Sequence, residues 1–275
     1  MSTEYKYKAG VLIIGSLYWD NSQGRRYWRE HYFGENFHQH QITVNVPIRY
    51  GRYSSGENRK CPTMVLSSEY YQLKRLGQGI FLPFRNQKQT ISDVICFAKA
   101  LSSAEGERCN NFIKVGKQNK WCILLYYLNP EMAKEKKAQF EQAWKKQYNV
   151  PIDDNLLANF KMKSESESIF YKSGRVKGFP TELSDCDVVL LTQTQPGIRE
   201  NDRSRFATPK EIAKAFYQKP EYFVKNRLNG IITVDDKEII RELADLLKDD
   251  IFERNAKSNG CSSLEISQFQ EEHLK

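Results

Sequence analysis

The sequence lacks the cysteine and histidine spacing of a disulfide framework or a zinc site. Its six cysteines are scattered with no Cys-x-x-Cys pair, and no histidine stands at ligand spacing from a cysteine. His38 and His40 fall on one face of a predicted strand. That pattern is more typical of a solvated surface than of a metal site, so we expect neither a structural disulfide nor a bound metal.

The sequence also lacks any long hydrophobic run. No stretch approaches the roughly 18 apolar residues that cross a bilayer, and Met1 to Lys8 is polar, without an apolar signal-peptide core. With 40% hydrophobic and 12% aromatic residues, the composition is that of a globular chain. Its 275 residues suffice for one large domain or for a domain with a substantial second part. We expect a cytoplasmic protein with no membrane partner.

Positive charge is abundant but unevenly distributed. Residues 1–150 carry 23 Lys and Arg against 12 Asp and Glu, whereas residues 151–275 carry 19 against 22. The first region is therefore basic and the second slightly acidic, which favours an anionic ligand for the first region. The charged, serine-rich segment from Ser164 to Ser168, within residues 149–168, marks the best boundary between the two.

The most informative stretch runs from Val11 to Asp20. The apolar run Val11-Leu12-Ile13-Ile14 ends in Gly15-Ser16, which predicts a strand buried on both faces and followed by a sharp turn. Main-chain N–H groups after such a strand have lost their sheet partners, and they suit a carboxylate or phosphate if they converge. The same residues are also compatible with a core strand and an ordinary turn.

A hairpin with a basic tip follows. Alternating apolar residues within 41–53 predict a half-buried strand, and Cys61 to Ser67 predicts its returning partner. Arg49, Tyr50 and Arg52 are candidate ligand-binding residues on the first strand. Residues three apart on a regular strand point to opposite faces, so only one arginine is expected to reach a pocket unless Gly51 marks a bulge.

A helix is predicted from Asp93 to about Glu107, with Ser92 as its cap. Its apolar stripe places Glu105 one turn after Leu101, near the core side. A carboxylate there is costly unless it is paired or used. The alternative is a glutamate at a helix end in water.

The second region has its own pattern of elements. It contains a predicted strand from Asp187 to Thr194, then a helix start at Thr208-Pro209-Lys210-Glu211 with the features of a capping box. A long amphipathic helix is predicted after Asp235 and Asp236. We expect an α+β extension over residues 151–275.

The order of these elements resembles the gamma-glutamylcyclotransferase-like, or AIG2-like, family over roughly residues 9–128. The matching segments are Ile14-Gly15-Ser16-Leu17, the strand from Gly77 to Pro83, and Glu105. The chain departs from the family at Ile14, which stands where a tyrosine is usual, so one hydroxyl is missing. The resemblance implies a small, partly closed β-barrel with packed helices over residues 1–150.

The resemblance also implies a reaction. Ile14, Gly15, Ser16 and Leu17 would hold the α-carboxylate of a γ-glutamyl substrate, and Glu105 would be the catalytic acid/base. The α-amine would attack its own γ-carbonyl and release 5-oxoproline. Because nucleophile and carbonyl belong to one molecule, proximity drives the step and no cofactor is needed.

A non-catalytic binding module is the alternative. It would use the basic first region to bind a nucleotide, nucleic acid or an acidic protein. This reading requires one open face that carries the arginines of the first region, namely Arg25, Arg26, Arg49, Arg52, Arg59 and Arg75.

Overall fold

The computed structural model describes residues 4–54, 61–86, 88–105, 122–148, 169–171, 173–194, 206–244 and 250–273. The expected boundary segment 149–168 and Arg59 lie outside these residues.

A five-stranded sheet forms the centre of the described molecule. Its strands, in spatial order, are β2 (Ile42–Val46), β5 (Gly77–Pro83), β1 (Ala9–Ile13), β7 (Val188–Thr194) and β6 (Cys122–Leu128). All pairs are antiparallel except β1 with β7, which are parallel. Every residue of β1 is buried, as expected for an apolar run that carries packed layers on both faces.

The sheet draws strands from both sides of residue 150. β7 comes from the second region, yet it lies hydrogen-bonded between β1 and β6 of the first. The change in composition therefore does not coincide with a break in the sheet. The structure is α+β, and the described strands do not close into a barrel.

The predicted hairpin forms a separate two-stranded sheet. β3 (Ile48–Tyr53) pairs with β4 (Pro62–Leu66), and the register shifts between Tyr50 and Arg52. The shift shows that Gly51 does occupy a β-bulge.

Helices cover the sheet and build most of the second region. In chain order, those described are α1 (Gln23–Phe33), α2 (Ser68–Gln72), α3 (Ile91–Ala104), α4 (Lys134–Gln147), α5 (Pro209–Gln218), α6 (Glu221–Leu228), α7 (Asp236–Leu243), α8 (Asp250–Ser258) and α9 (Ser263–His273).

The cap of α3 corrects the sequence-based expectation. Thr90, not Ser92, accepts from the N–H of Asp93, and the Asp93 side chain accepts in return from the N–H of Thr90. Ser92 is instead the second residue of the helix. The predicted cap of α5 is confirmed, because Thr208 and Glu211 form a capping box with Pro209 at the first helical position.

No helix in the described part of the chain has both the length and the apolar composition that a membrane span requires.

Candidate functional site

A cavity of about 310 Å³ lies where the parallel strands β1 and β7 reach their carboxyl ends. Both regions of the chain contribute to its wall. The residues that carry chemistry there are Gly15, Ser16, Arg25, Arg52, Glu105, Thr192 and Tyr222.

The turn after β1 supplies main-chain donors to this cavity. Its carbonyls are occupied, since Gly15 O accepts from the N–H of Tyr18 at 3.1 Å and Ser16 O accepts from the N–H of Asp20 at 2.8 Å. Among the described residues, no acceptor meets the N–H groups of Gly15, Ser16 or Leu17. Donors of this kind suit an anion.

Arg29 of α1 fixes this turn from the buried side. Its Nη1 donates to the carbonyl oxygens of Leu17 at 2.7 Å and Asp20 at 2.8 Å. A guanidinium with several fixed donors can bind two carbonyls at once, so the turn keeps one shape.

Glu105 is the residue that ends α3, and its carboxylate is held at both oxygens. Oε1 accepts from Thr192 Oγ1 at 2.8 Å, and Oε2 accepts from Arg25 Nη2 at 2.7 Å. The side chain is only 10% exposed. Glu105 lines the same cavity as the unpaired amides. Because its side chain is mostly buried, the alternative of a helix-end glutamate in water does not hold.

Arg25 connects the acid to the turn. Its Nη1 donates to Ser16 Oγ at 2.7 Å and to Asp20 Oδ2 at 2.9 Å, while Nη2 binds Glu105. Burial lowers the pKa of Arg25, but Glu105, Asp20 and Tyr222 together raise it by more, so the pKa lies above its usual value. The sequence placed Arg25 among the arginines of a basic face or of a small-molecule pocket, and it did not indicate this bridging position.

Three cavity residues come from the second region, and sequence reasoning missed all of them. Thr192 and Thr194 lie on β7, and Tyr222 lies on α6. The Thr194 hydroxyl oxygen is buried and has no hydrogen-bond partner among the described residues. Thr192 and Thr194 share one face of β7, after the apolar run at the start of that strand, and this spacing was the available signal.

The three candidate ligand-binding residues on β3 lie on either side of the bulge at Gly51, and only the one after the bulge lines the cavity. Arg52 lines the cavity, together with Ile14 and Leu17. Arg49 does not: its Nη1 donates to Glu69 Oε2 at 2.9 Å, and its guanidinium carbon lies 4.0 Å from the centre of the Phe206 ring. Arg49 is thus held by an acid and an aromatic face away from the cavity, which corrects its expected role there.

Tyr50 is also corrected, because it is 1% exposed and is not among the residues that line the cavity. It packs edge-on against Phe216, with ring centres 5.0 Å apart. Its hydroxyl has no partner among the described residues. Burial, with a smaller contribution from Asp236, raises its pKa well above the usual value.

The binding-module alternative requires an open face of arginines, and three of its described arginines are each paired with a carboxylate. The side chains of Arg25 and Arg49 are only 17% and 12% exposed, and each is paired with an acid. Arg75 is more exposed but pairs with Asp235 at 3.4 Å. The positive charge of these three arginines is therefore matched locally by carboxylates.

A larger cleft of about 590 Å³ lies beside the end of α1, but the ionisable side chains considered there are exposed to solvent. Its polar lining includes Glu30 and His40, and the Glu30 side chain is 48% exposed. Aromatic residues supply much of the remaining wall, namely Phe33, Phe37 and Phe84. Because Glu30 and His40 are solvated, we place the candidate site in the smaller cavity, where the acid is buried and the amides are unpaired.

No group of three or more His, Cys, Asp or Glu within the described ranges is placed to hold a metal ion. Comparison with protein-family models, with curated proteins and with solved structures gave no match. The function is therefore argued from the geometry of the cavity.

Proposed function

We propose that this protein is a cyclotransferase-like enzyme that acts on a γ-glutamyl or similar amine-bearing anionic small molecule and releases 5-oxoproline. The observation that carries the proposal is the presence of the Glu105 carboxylate and the unpaired Gly15–Leu17 amides in one cavity of about 310 Å³. A pocket of this size suits a small metabolite. We also propose that the described strands belong to a sheet of the gamma-glutamylcyclotransferase-like type.

The two ends of the cavity suit the two charges of such a substrate. The amides of Gly15, Ser16 and Leu17 are donors for the α-carboxylate, and Arg52 lies in the same wall. Glu105 is an acceptor for the α-ammonium group. A substrate held at both points has its amine and its γ-carbonyl confined to one cavity, which is the geometry that proximity catalysis requires.

In this mechanism Glu105 removes a proton from the α-ammonium group. The free amine attacks the γ-carbonyl carbon, a new C–N bond closes the five-membered ring, and the bond to the leaving amine breaks. Glu105 then returns the proton to that amine as it leaves, and the ring nitrogen passes its remaining extra proton to the released amine. The products are 5-oxoproline and a protonated amine, and the enzyme ends the cycle unchanged. Nucleophile, electrophile and leaving group all belong to the substrate, and the proposal requires neither metal nor cofactor.

Thr192 and Arg25 can keep their contacts with Glu105 through the proposed cycle. A hydroxyl can donate or accept, so Thr192 can donate to the carboxylate and then accept from the protonated acid. Arg25 keeps its hydrogen bond to the other oxygen throughout. In this proposal the Glu105 side chain therefore keeps its position while it accepts and then releases a proton.

The test is a panel of γ-glutamyl amines and γ-glutamyl amino acids, scored for 5-oxoproline. We expect product from at least one compound, and a decrease in kcat of about 10²–10⁴-fold in Glu105→Gln. The matched control is Glu135→Gln, which removes an exposed carboxylate in the first turn of α4. It should leave the rate unchanged.

Activity retained in Glu105→Gln would remove Glu105 from the mechanism. If no compound yields product, the binding-module alternative gains support. Its own test is a salt titration of oligonucleotide binding, where phosphate contacts give a steep salt dependence.

A further inference from the structure

Tyr222 reaches the cavity from the second region of the chain. It lies on α6, lines the cavity, and places its hydroxyl against Gly15. A Cβ built on Gly15 would overlap this hydroxyl, and the next atom it would meet is Tyr222 Cζ at 3.4 Å. The absence of a side chain at Gly15 is what makes room for the phenol beside the turn.

The neighbours of Tyr222 hold its ring in place. The Trp19 ring packs edge-on against it with centres 5.9 Å apart, and Trp19 Nε1 donates to Asn226 Oδ1 at 2.7 Å. The turn after β1 and helix α6 thus meet at the Tyr222 ring.

The electrostatic surroundings make this hydroxyl a donor near neutral pH. Burial raises the pKa of Tyr222, and neighbouring polar groups and the charge of Arg25 offset this only in part. The phenol therefore stays protonated. A neutral O–H donor lies beside main-chain N–H donors that have no acceptor among the described residues.

We propose that Tyr222 is a substrate-binding residue whose hydroxyl donates to the carboxylate held by the Gly15–Leu17 amides, and that it selects ligands that carry this carboxylate. The inference rests on the proposed function. It assigns substrate recognition partly to α6, which lies outside the segment that resembles the cyclotransferase-like family.

The test compares two ligands that differ only in the carboxylate, 5-oxoproline and 2-pyrrolidinone. Calorimetric titration should show that Tyr222→Phe weakens 5-oxoproline binding by about 10-fold or more, as expected for a lost hydrogen bond to a charged group. Binding of 2-pyrrolidinone should not change. A purely structural role would weaken both ligands equally, and such a result would overturn the inference.

Kinetics supply a second measurement with any γ-glutamyl compound that the wild-type protein converts. Tyr222→Phe should raise KM about 10-fold or more with kcat nearly unchanged, because the contact exists before and during the reaction. The control is Tyr27→Phe, which removes the hydroxyl of an exposed tyrosine that does not line the cavity.

The stability of a double variant tests the contact itself without any ligand. Gly15→Ala should lower the melting temperature because its methyl group meets the Tyr222 hydroxyl, and Tyr222→Phe in the same chain should restore most of the loss. If the double variant is no more stable than Gly15→Ala, the hydroxyl does not lie against Gly15 and the inference fails.

The outcomes separate this inference from the proposed function. Turnover by the wild-type protein with unchanged 5-oxoproline binding in Tyr222→Phe would overturn the inference alone. Binding of 5-oxoproline that depends on Tyr222, without turnover of any panel compound, would overturn the enzymatic proposal alone. Neither turnover nor binding in the wild-type protein would overturn both.

Discussion

Two arginine–carboxylate pairs of nearly equal length lie in contrasting surroundings. Arg25 Nη2 meets Glu105 Oε2 at 2.7 Å, and Arg227 Nη1 meets Asp236 Oδ2 at 2.8 Å. Glu105 borders a cavity and is 10% exposed, whereas Asp236 is 1% exposed and is the first residue of α7. The main-chain N–H and the hydroxyl of Thr233 also donate to Asp236.

The contrast shows that pairing alone does not identify a functional acid. Asp236 has its hydrogen-bonding capacity used inside the protein, so it joins Thr233, α6 and α7 into one unit. Glu105 has the same type of partner, but a ligand can reach it. Access to a cavity, more than the ion pair itself, therefore separates the candidate catalytic acid from the structural one.

The largest expected difference between the two pairs is in stability. Asp236→Ala removes the carboxylate partner of the mostly buried Arg227 and should lower the free energy of unfolding by about 3–5 kcal/mol. Glu105→Ala should cost less than Asp236→Ala, because Arg25 keeps Asp20 and Ser16 as acceptors and borders the cavity. Urea denaturation of both variants measures this difference, and equal losses would contradict the distinction.

A pH titration sharpens the comparison. Burial raises the pKa of Asp236 from 3.8 to about 6, although Arg227 and Thr233 both lower it. Between these values the folded chain retains a proton that the unfolded chain has released. The contribution of Asp236 to stability is therefore full below about pH 4 and decreases as pH rises through 6, by on the order of 3 kcal/mol.

Asp236→Asn has no such proton and is the control for the titration. The difference in unfolding free energy between the wild-type protein and this variant, measured at several values from pH 4 to pH 7, should become less favourable to the wild type as pH rises. A constant or increasing difference would contradict the direction of the pKa shift.

The smallest expected effect concerns Tyr50, which lies in the core near Asp236. Its hydroxyl is buried without a partner in the described structure, so Tyr50→Phe removes a desolvated polar group and keeps the ring packed against Phe216. We expect unfolding free energy that is unchanged or higher by about 1 kcal/mol. A loss of more than about 1 kcal/mol in thermal or urea denaturation would indicate a hydrogen bond at this hydroxyl.

Local patterns predicted much of the site. The apolar run that ends at Gly15, and the apolar stripe of α3 that leads to Glu105, each depend on residues close in sequence. The capping box at Thr208 is equally local and was also predicted. The bulge at Gly51 was only one of two alternatives, because the choice between Arg49 and Arg52 depends on how β3 pairs with β4.

The contacts that sequence reasoning missed join residues that are far apart in the chain. Thr192 and Glu105 are 87 positions apart, and Asn226 and Trp19 are 207 apart. Neither the periodicity of apolar residues nor the spacing within a motif indicates which residues so far apart in the sequence will be in contact. These contacts depend on the parallel pairing of β1 with β7 and on the packing of α6 against the turn after β1.

The sequence by itself determined an α+β chain with a buried first strand, a sharp turn after it and an acid at the end of a helix. Each of these follows from short-range sterics and from the burial of apolar side chains. Only the tertiary structure decided that β7 lies beside β1, that Arg25 and Thr192 hold Glu105, and that Tyr222 closes against Gly15. Those arrangements depend on long-range packing, where the position of each side chain is fixed by neighbours from distant segments.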